Sequence, residues 1–325
     1  MRMVIGIDIG GTKLTAALAS LDGRMAEKIR RRTEADWTAK DNLAALREMV
    51  QELLEAARRC GAEVESMGVG FGGPVEPIRG IVRRSHHVAG WEGVRLREEF
   101  EDAFGVRTHV DNDANVGALG ELAYGAARDR RHVVYVNIGT GIGGALILNG
   151  RLHHGATGNS GEIGHIVIDR NGPPCTCGQR GCLEAFCSGP AIRRRAVKRL
   201  SRSCAGSTSL PTGAEAITVS SEDVFAAARK GDILAGKLVH ETAELLGIGI
   251  ANVLNLVNPE LVVIGGGVAE AGDVLLGPLR EAIRERAMPA AADVEVVAAE
   301  LGYDAGVLGA IALAAQHLNE ATTCL

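Results

Sequence analysis

Three cysteines, Cys175, Cys177 and Cys182, fall within eight residues, and His165 stands shortly before them. Thiolate sulfur and imidazole nitrogen in a four-ligand set are what a structural zinc ion takes, in a closed tetrahedral shell with no open position for water. His165, Cys175, Cys177 and Cys182 are the expected ligands. Cys187 competes for the fourth position, and His165 is preferred. Inert thiols are the weaker alternative, because the crowding comes with glycine turns and a nearby histidine.

Two glycine-rich turns carry a second chemistry. Asp8-Ile-Gly-Gly-Thr-Lys13 and Gly139-Thr-Gly-Ile-Gly143 each leave backbone N–H groups uncovered by side chains, so together they could grip a polyphosphate. Gly10, Gly11, Thr12 and Lys13 form the first turn; Gly139, Thr140, Gly141 and Gly143 form the second. Neither has the spacing of a Walker loop or of a dinucleotide fingerprint opening a helix. Either turn alone would be read as a tight hairpin. Asp8 ends an apolar strand, where an unpaired carboxylate is costly, so Mg2+ with its waters is a natural partner.

The elements that must hold these residues follow from local pattern. Strands are expected over 3–9, 14–20, 67–71, 106–110, 132–138, 145–148, 261–264 and 294–301. Apolar residues at helical spacing from Leu43 to Ala57 predict a helix capped by Asp41 or Asn42. Further helices are expected over 96–104, 233–256 and 274–288, with an alanine-rich one at the end and a loop-rich stretch over 151–189. The strand over 106–110 runs into Asp111-Asn-Asp-Ala-Asn115, and strand tips are where open α/β sheets place chemistry. Strand, glycine turn and strand open both halves, which suggests two related α/β domains facing one another across a cleft. The expected division is 1–125 and 126–325, with the last helix returning to the N-terminal domain.

A chain of 325 residues with 46% apolar content is long enough for two cores. No apolar run is long enough for a membrane span and no signal segment precedes the first strand, which points to the cytoplasm. A net charge of −5 with interspersed signs gives no footprint for nucleic acid. The arginines at 30–32 and 193–195 are expected to be solvated faces. Seven cysteines, with Cys60, Cys187, Cys204 and Cys324 scattered, are not a secreted disulfide framework.

Asp8 to Lys13, Asn112-Asp-Ala-Asn115, Gly139 to Gly144, the Glu162/His165 pair, the cysteine loop with Glu184, and Asn258-Pro259 leading to Gly265-Gly-Gly267 together resemble the ROK family over essentially the whole chain. Within that family the sequence is similar to sugar kinases of the bacterial glucokinase type. The resemblance implies an actin-like, ribonuclease H-like ATPase fold and phosphorylation of a hexose by ATP, glucose being the expected sugar. It implies Asp113 as the base and zinc on His165 and the three cysteines. It also implies a sugar held by Gly73, Asn112, Asp113, Glu162, His165 and Glu184, and Gly265, Gly266 and Gly267 on the adenosine side. A homodimer or homotetramer is expected on the same ground.

Those roles agree with the residue types. A primary hydroxyl attacks phosphorus well only as its proton is taken, and carboxylates pair with vicinal hydroxyls. Two departures bear on sugar choice: Gly72-Gly73 where many relatives carry Pro-Gly, and Ser85-His-His-Val-Ala-Gly-Trp91, which lacks the usual Asn before its Trp. The resemblance also implies fructose, N-acetylmannosamine and allose as alternative substrates, since relatives with the same cysteine loop phosphorylate them. The rival from another class is a sugar-responsive repressor. It is disfavoured because the first phosphate turn starts at residue 8, leaving no room for a DNA-binding segment before it.

Overall fold

A computed structural model describes residues 1–85, 88–204 and 206–323. His86, His87, Ala205 and Cys324 lie outside the described residues. The chain divides into two compact units, one of residues 1–129, 152–160 and 300–325, the other of 130–151 and 161–299.

The first unit is built on a five-stranded sheet. β1 (Arg2–Ile9) pairs antiparallel with β2 (Lys13–Ser20), which pairs antiparallel with β3 (Met25–Arg32). After α1 (Ala39–Arg59) the chain returns as β4 (Glu63–Phe71), parallel to β1. A small hairpin, β5 (Val75–Glu76) with β6 (Ile81–Val82), leads to α2 (Leu96–Phe104). Next come β7 (Arg107–Asn112), parallel to β4, and α3 (Asp113–Tyr124).

Helix α1 forms because Ala45, Leu46, Met49, Val50, Leu53, Leu54 and Ala57 recur on one face and are all buried. Its cap differs from expectation. Thr38 is the N-cap, and its N–H and hydroxyl both donate to Asp41 three residues on. Asn42 is instead buried inside the helix.

Besides the β5–β6 hairpin, β3 and α3 are elements of this unit that the sequence pattern does not predict. β3 alternates half-buried and exposed positions, the signature of a one-faced edge strand, but its sequence is dominated by charge. Arg30 on it pairs with Asp304 at 3.2 Å. α3 follows β7 without a break, buried on most sides, so it shows little amphipathic periodicity.

The second unit repeats the plan. β8 (Val133–Ile138) pairs antiparallel with β9 (Ile142–Leu148), and β10 (Arg151–Leu152) extends the edge. The stretch expected to be loop-rich is largely irregular, interrupted by a 3₁₀ turn (Ile163–His165) and the short helix α4 (Leu183–Cys187), and α5 (Gly189–Leu200) starts at its end. α6 (Ser221–Arg229) and α7 (Ile233–Val257) follow. α7 is stopped by Asn258 in the left-handed region at φ 49°, directly before Pro259. β11 (Leu261–Gly265) lies parallel to both β8 and β12 (Glu295–Ala298), with α8 (Asp273–Arg286) between the strands in sequence.

Of the arginines at 193–195, Arg193 and Arg194 are exposed, as expected of a solvated face, and Arg195 is half-buried; all three are tied down by hydrogen bonds. Arg193 donates to the Ile217 and Val219 carbonyls, Arg194 to the Ala185 carbonyl, and Arg195 to Glu241 and Thr242.

α9 (Ala305–Thr323) belongs to the first unit, where it packs on β1, β4 and α3. Close approach makes that seat possible: a methyl on Gly68 would land on the Ala310 carbonyl, and one on Gly309 on the Val116 carbonyl.

Candidate active site

In the first unit β1, β4 and β7 run parallel, so their carboxyl ends share one sheet edge. Asp8 stands opposite Gly70, and Phe71 opposite Asn112. The first phosphate turn leaves β1 there, closed by the Gly10 N–H donating to the Lys13 carbonyl at 3.1 Å. Thr33 braces it, donating from its hydroxyl to the Gly11 carbonyl and from its N–H to the Thr12 carbonyl, both at 3.2 Å.

Burial holds the Asp8 carboxyl above the usual carboxylate range, with Lys13 and Arg30 partly offsetting it. A carboxylate kept from water in this way suits a hydrated cation. Gly306, at the start of α9, presses on it so closely that a methyl there would meet the Asp8 carboxylate atoms at 2.7–2.9 Å.

Gly72 and Gly73 end β4. The Gly72 N–H donates to the Ile9 carbonyl at 2.9 Å, and a methyl on Gly72 would lie 3.9 Å from an Asp113 carboxylate oxygen. The Trp91 side chain is buried, edge-on to Phe71, the last residue of β4, with ring centroids 5.1 Å apart.

Asn112 is the N-cap of α3 and accepts the Asn115 N–H at 2.7 Å, so the capping role goes to Asn112 and leaves Asp113 exposed as the first helical residue. One Asp113 oxygen accepts the Ala114 N–H at 2.9 Å.

In the second unit the turn Gly139–Gly143 joins β8 to β9, pinned by the Gly139 N–H to the Gly141 carbonyl at 2.9 Å. The Gly139 carbonyl in turn accepts the Gly189 N–H at the start of α5. Gly265 ends β11, paired with Asn137 of β8, and Gly266 follows it. Gly266 has φ +82°, and a methyl there would strike the Ile138 carbonyl. The second turn and these glycines therefore share an edge of this sheet, and Gly267 opens the short 3₁₀ turn beyond them.

The cysteine loop has the geometry that its spacing suggests. One donor atom from each of His165, Cys175, Cys177 and Cys182 lies within 4.8 Å of all the others. The Cys177 and Cys182 sulfurs are 3.7 Å apart, and Cys175 Sγ is 3.7 Å from His165 Nδ1. Zinc–sulfur bonds of about 2.3 Å in a tetrahedron put sulfurs about 3.8 Å apart, so the set fits zinc. Cys187 is buried elsewhere, its sulfur 3.8 Å from the Thr242 carbonyl.

With Nδ1 toward the cysteines, His165 Nε2 faces Glu162 at 3.9 Å. Glu184, on α4, follows the loop directly. One of its oxygens accepts the Ile142 N–H of the second turn, and the other the Thr176 hydroxyl.

Asp111, named at the strand tip but given no role, is buried, and His154, which the sequence reading does not single out, has its Nε2 2.6 Å from it. No spacing rule links positions so far apart.

The model of the ROK family matches residues 4–317. A glucokinase from Thermotoga maritima is 37% identical over 324 residues, covering 97% of this chain and 98% of the relative. A solved ROK family glucokinase from Streptomyces griseus, in complex with glucose and AMPPNP, aligns with a TM-score of 0.79 at 32% identity, over 97% of this chain and 99% of that one. A ROK family transcriptional regulator, a homologue of the E. coli MLC protein, aligns with a TM-score of 0.87 at 31% identity, over 98% of this chain and 78% of that one.

Proposed function

The chain belongs to the ROK family, and from that premise we propose that it is an ATP-dependent glucokinase, transferring the γ-phosphoryl group to the 6-hydroxyl of glucose. The observation that carries the reading is the exposed Asp113 carboxylate, held on a capped helix end beside the first phosphate turn.

On this reading Asp113 takes the proton of the 6-hydroxyl as its oxygen attacks phosphorus, the bond from phosphorus to the bridging oxygen breaks, and ADP leaves. Gly73, Asn112, Glu162, His165 and Glu184 hold the remaining hydroxyls, His165 through the ring nitrogen that faces away from the cysteines. The turns at Gly10–Lys13 and Gly139–Gly143 orient the phosphates by backbone N–H groups, and Gly265, Gly266 and Gly267 flank the adenosine. Asp8 would hold Mg2+, which supplies neutralisation of phosphate charge. His165, Cys175, Cys177 and Cys182 would hold zinc, which ties the loop carrying Glu184.

The test is a coupled assay of ADP release with Mg-ATP over glucose, fructose, mannose, N-acetylmannosamine, N-acetylglucosamine and allose. Fastest turnover on glucose, reduced about a hundredfold or more in Asp113→Asn with glucose binding retained, is the expected result. A preference for another sugar would replace glucose in this reading and keep the mechanism. The likeness to a transcriptional regulator supports a second reading, a sugar sensor without turnover. Sugar binding with no ADP release on any substrate would favour it.

No helix among the described residues is long and apolar enough to cross a membrane. Assembly as a homodimer or homotetramer, and residence in the cytoplasm, belong to the same reading and are checked by light scattering and cell fractionation.

A further inference from the structure

The segment 152–160 leaves the β9–β10 edge of the second unit but belongs to the first. It is a compact loop, with Gly155 at φ +69° and the Ser160 N–H donating back to the His154 carbonyl at 3.1 Å. At its start His154 Nε2 makes a 2.6 Å hydrogen bond to Asp111 Oδ2. The Asp111 side chain is only 2% exposed, and His154 is the group that reaches this oxygen from outside β7 and α3.

The other Asp111 oxygen does different work. Oδ1 accepts the Asn112 N–H and the Asn115 side-chain amide, each at 2.8 Å. Asn112 in turn caps α3 through the Asn115 N–H. The Asp111 carboxylate therefore fixes the residues on both sides of Asp113: the backbone of Asn112 before it and the side chain of Asn115 after it. A carboxylate has two oxygens in one rigid plane, so holding Oδ2 sets the direction of Oδ1.

We propose that His154 is a positioning residue for Asp113, acting through Asp111 to fix the backbone turn from which the base is presented. The inference rests on the reading of Asp113 as the base. The bond also keeps the His154 imidazolium protonated above the ordinary histidine range, the Asp111 hydrogen bond outweighing burial and the Asp111 charge adding to it. The buried carboxylate thus has a hydrogen-bond donor beside it, and removing that donor would leave a buried oxygen without its partner. The turn would then relax around whichever donors Asp111 could recruit, and Asp113 would move with it.

A positioning role predicts a loss in turnover larger than any loss in binding. His154→Ala should lower kcat by about tenfold or more, because small displacements of a reacting group are costly. KM for Mg-ATP should stay within about twofold of wild type, and KM for glucose, whose proposed partners Asn112 and Asp113 sit on this turn, should rise by less than kcat falls. His154→Gln can place an amide donor where Nε2 stands and should recover most of the lost kcat. Asp111→Asn combined with His154→Ala should lose little more than the worse single variant, as coupled residues do.

Full kcat in His154→Ala, an equal loss in His154→Gln, or a rise in KM without a fall in kcat would each overturn the proposal while wild-type turnover and its dependence on Asp113 leave the kinase reading intact. If His154→Ala unfolds on heating well below wild type, kcat is measured on His154→Gln and His154→Phe under conditions where circular dichroism shows both folded. Loss in Phe alone supports the proposal, and equal activity overturns it. Wild-type protein that turns over no sugar would overturn both readings, and it is recognised before any variant is made.

Discussion

Glu184 accepts the Ile142 N–H at 2.8 Å through one carboxylate oxygen and the Thr176 hydroxyl at 3.1 Å through the other. One side chain therefore ties the cysteine loop to the second phosphate turn. A group proposed to hold sugar is at the same time a brace for backbone proposed to hold phosphate. Glu184→Ala should raise KM for glucose and for Mg-ATP together, by about tenfold or more each, since a charge-assisted hydrogen bond is worth about 1.5–3 kcal/mol. Initial-rate kinetics with each substrate varied decide it. A rise for glucose alone would mean that the Ile142 bond is idle.

Metal content tests the loop directly. About one zinc per chain is expected by elemental analysis, and Cys177→Ser, at an exposed ligand, should reduce it to a small fraction. Loss of the metal should lower the melting temperature and raise KM for glucose, because Glu162 and Glu184 flank the loop. A variant that loses zinc and keeps both properties would leave the ion without a structural role.

Gly306 sets how α9 meets Asp8. A methyl there would sit 2.7–2.9 Å from the carboxylate, inside any real contact. Gly306→Ala should cost about 1–3 kcal/mol in chemical denaturation. Rotation of Asp8 away from its place should also raise the Mg2+ concentration needed for half-maximal activity. Unchanged stability and unchanged Mg2+ dependence would show that the helix start yields without cost.

His109 makes stability depend on acid. Its ring stacks on that of His317 at 3.8 Å and 10°, and its Nε2 is buried with no hydrogen-bond partner among the described residues. Burial pushes the imidazole down to about 3, with the charges of His317, Arg97 and Arg107 adding to the effect. In the unfolded chain the group has its ordinary value near 6.5. Between those values the unfolded state binds a proton that the folded state refuses, so stability falls as pH drops from about 6.5 toward 3 and is untouched above that window. His109→Phe keeps a flat ring without the titration. Its urea midpoint should fall less than that of wild type between about pH 7 and 5, and parallel slopes would refute the assignment.

Legibility in the sequence followed the range of the interaction. The face of α1, the hairpins around both glycine turns, the strand β11 with its glycines and the spacing of the three cysteines are local patterns. Each depends on backbone geometry repeated over a few residues, and the structure has them where the sequence puts them. β3 was missed because its exposed face is charged, and α3 because burial on most sides erases the period that marks a helix. Asp41 and Asn42 are both good caps in isolation; Thr38, three residues before Asp41, forms the box that uses Asp41, and Asn42 is buried in the helix.

By itself the sequence determined the chemistry available to this protein: a thiolate-rich loop, two bare-backbone turns, and acids at strand ends. Only the tertiary structure decided which of these groups meet. His154 reaches Asp111 across 43 residues of chain, Glu184 reaches Ile142 across 42, and α9 closes over β1 from the far end of the molecule. Such pairings carry no periodicity. They exist because parallel strands bring their carboxyl ends to one edge, and because glycines at the contacts let a helix come close enough to seal it.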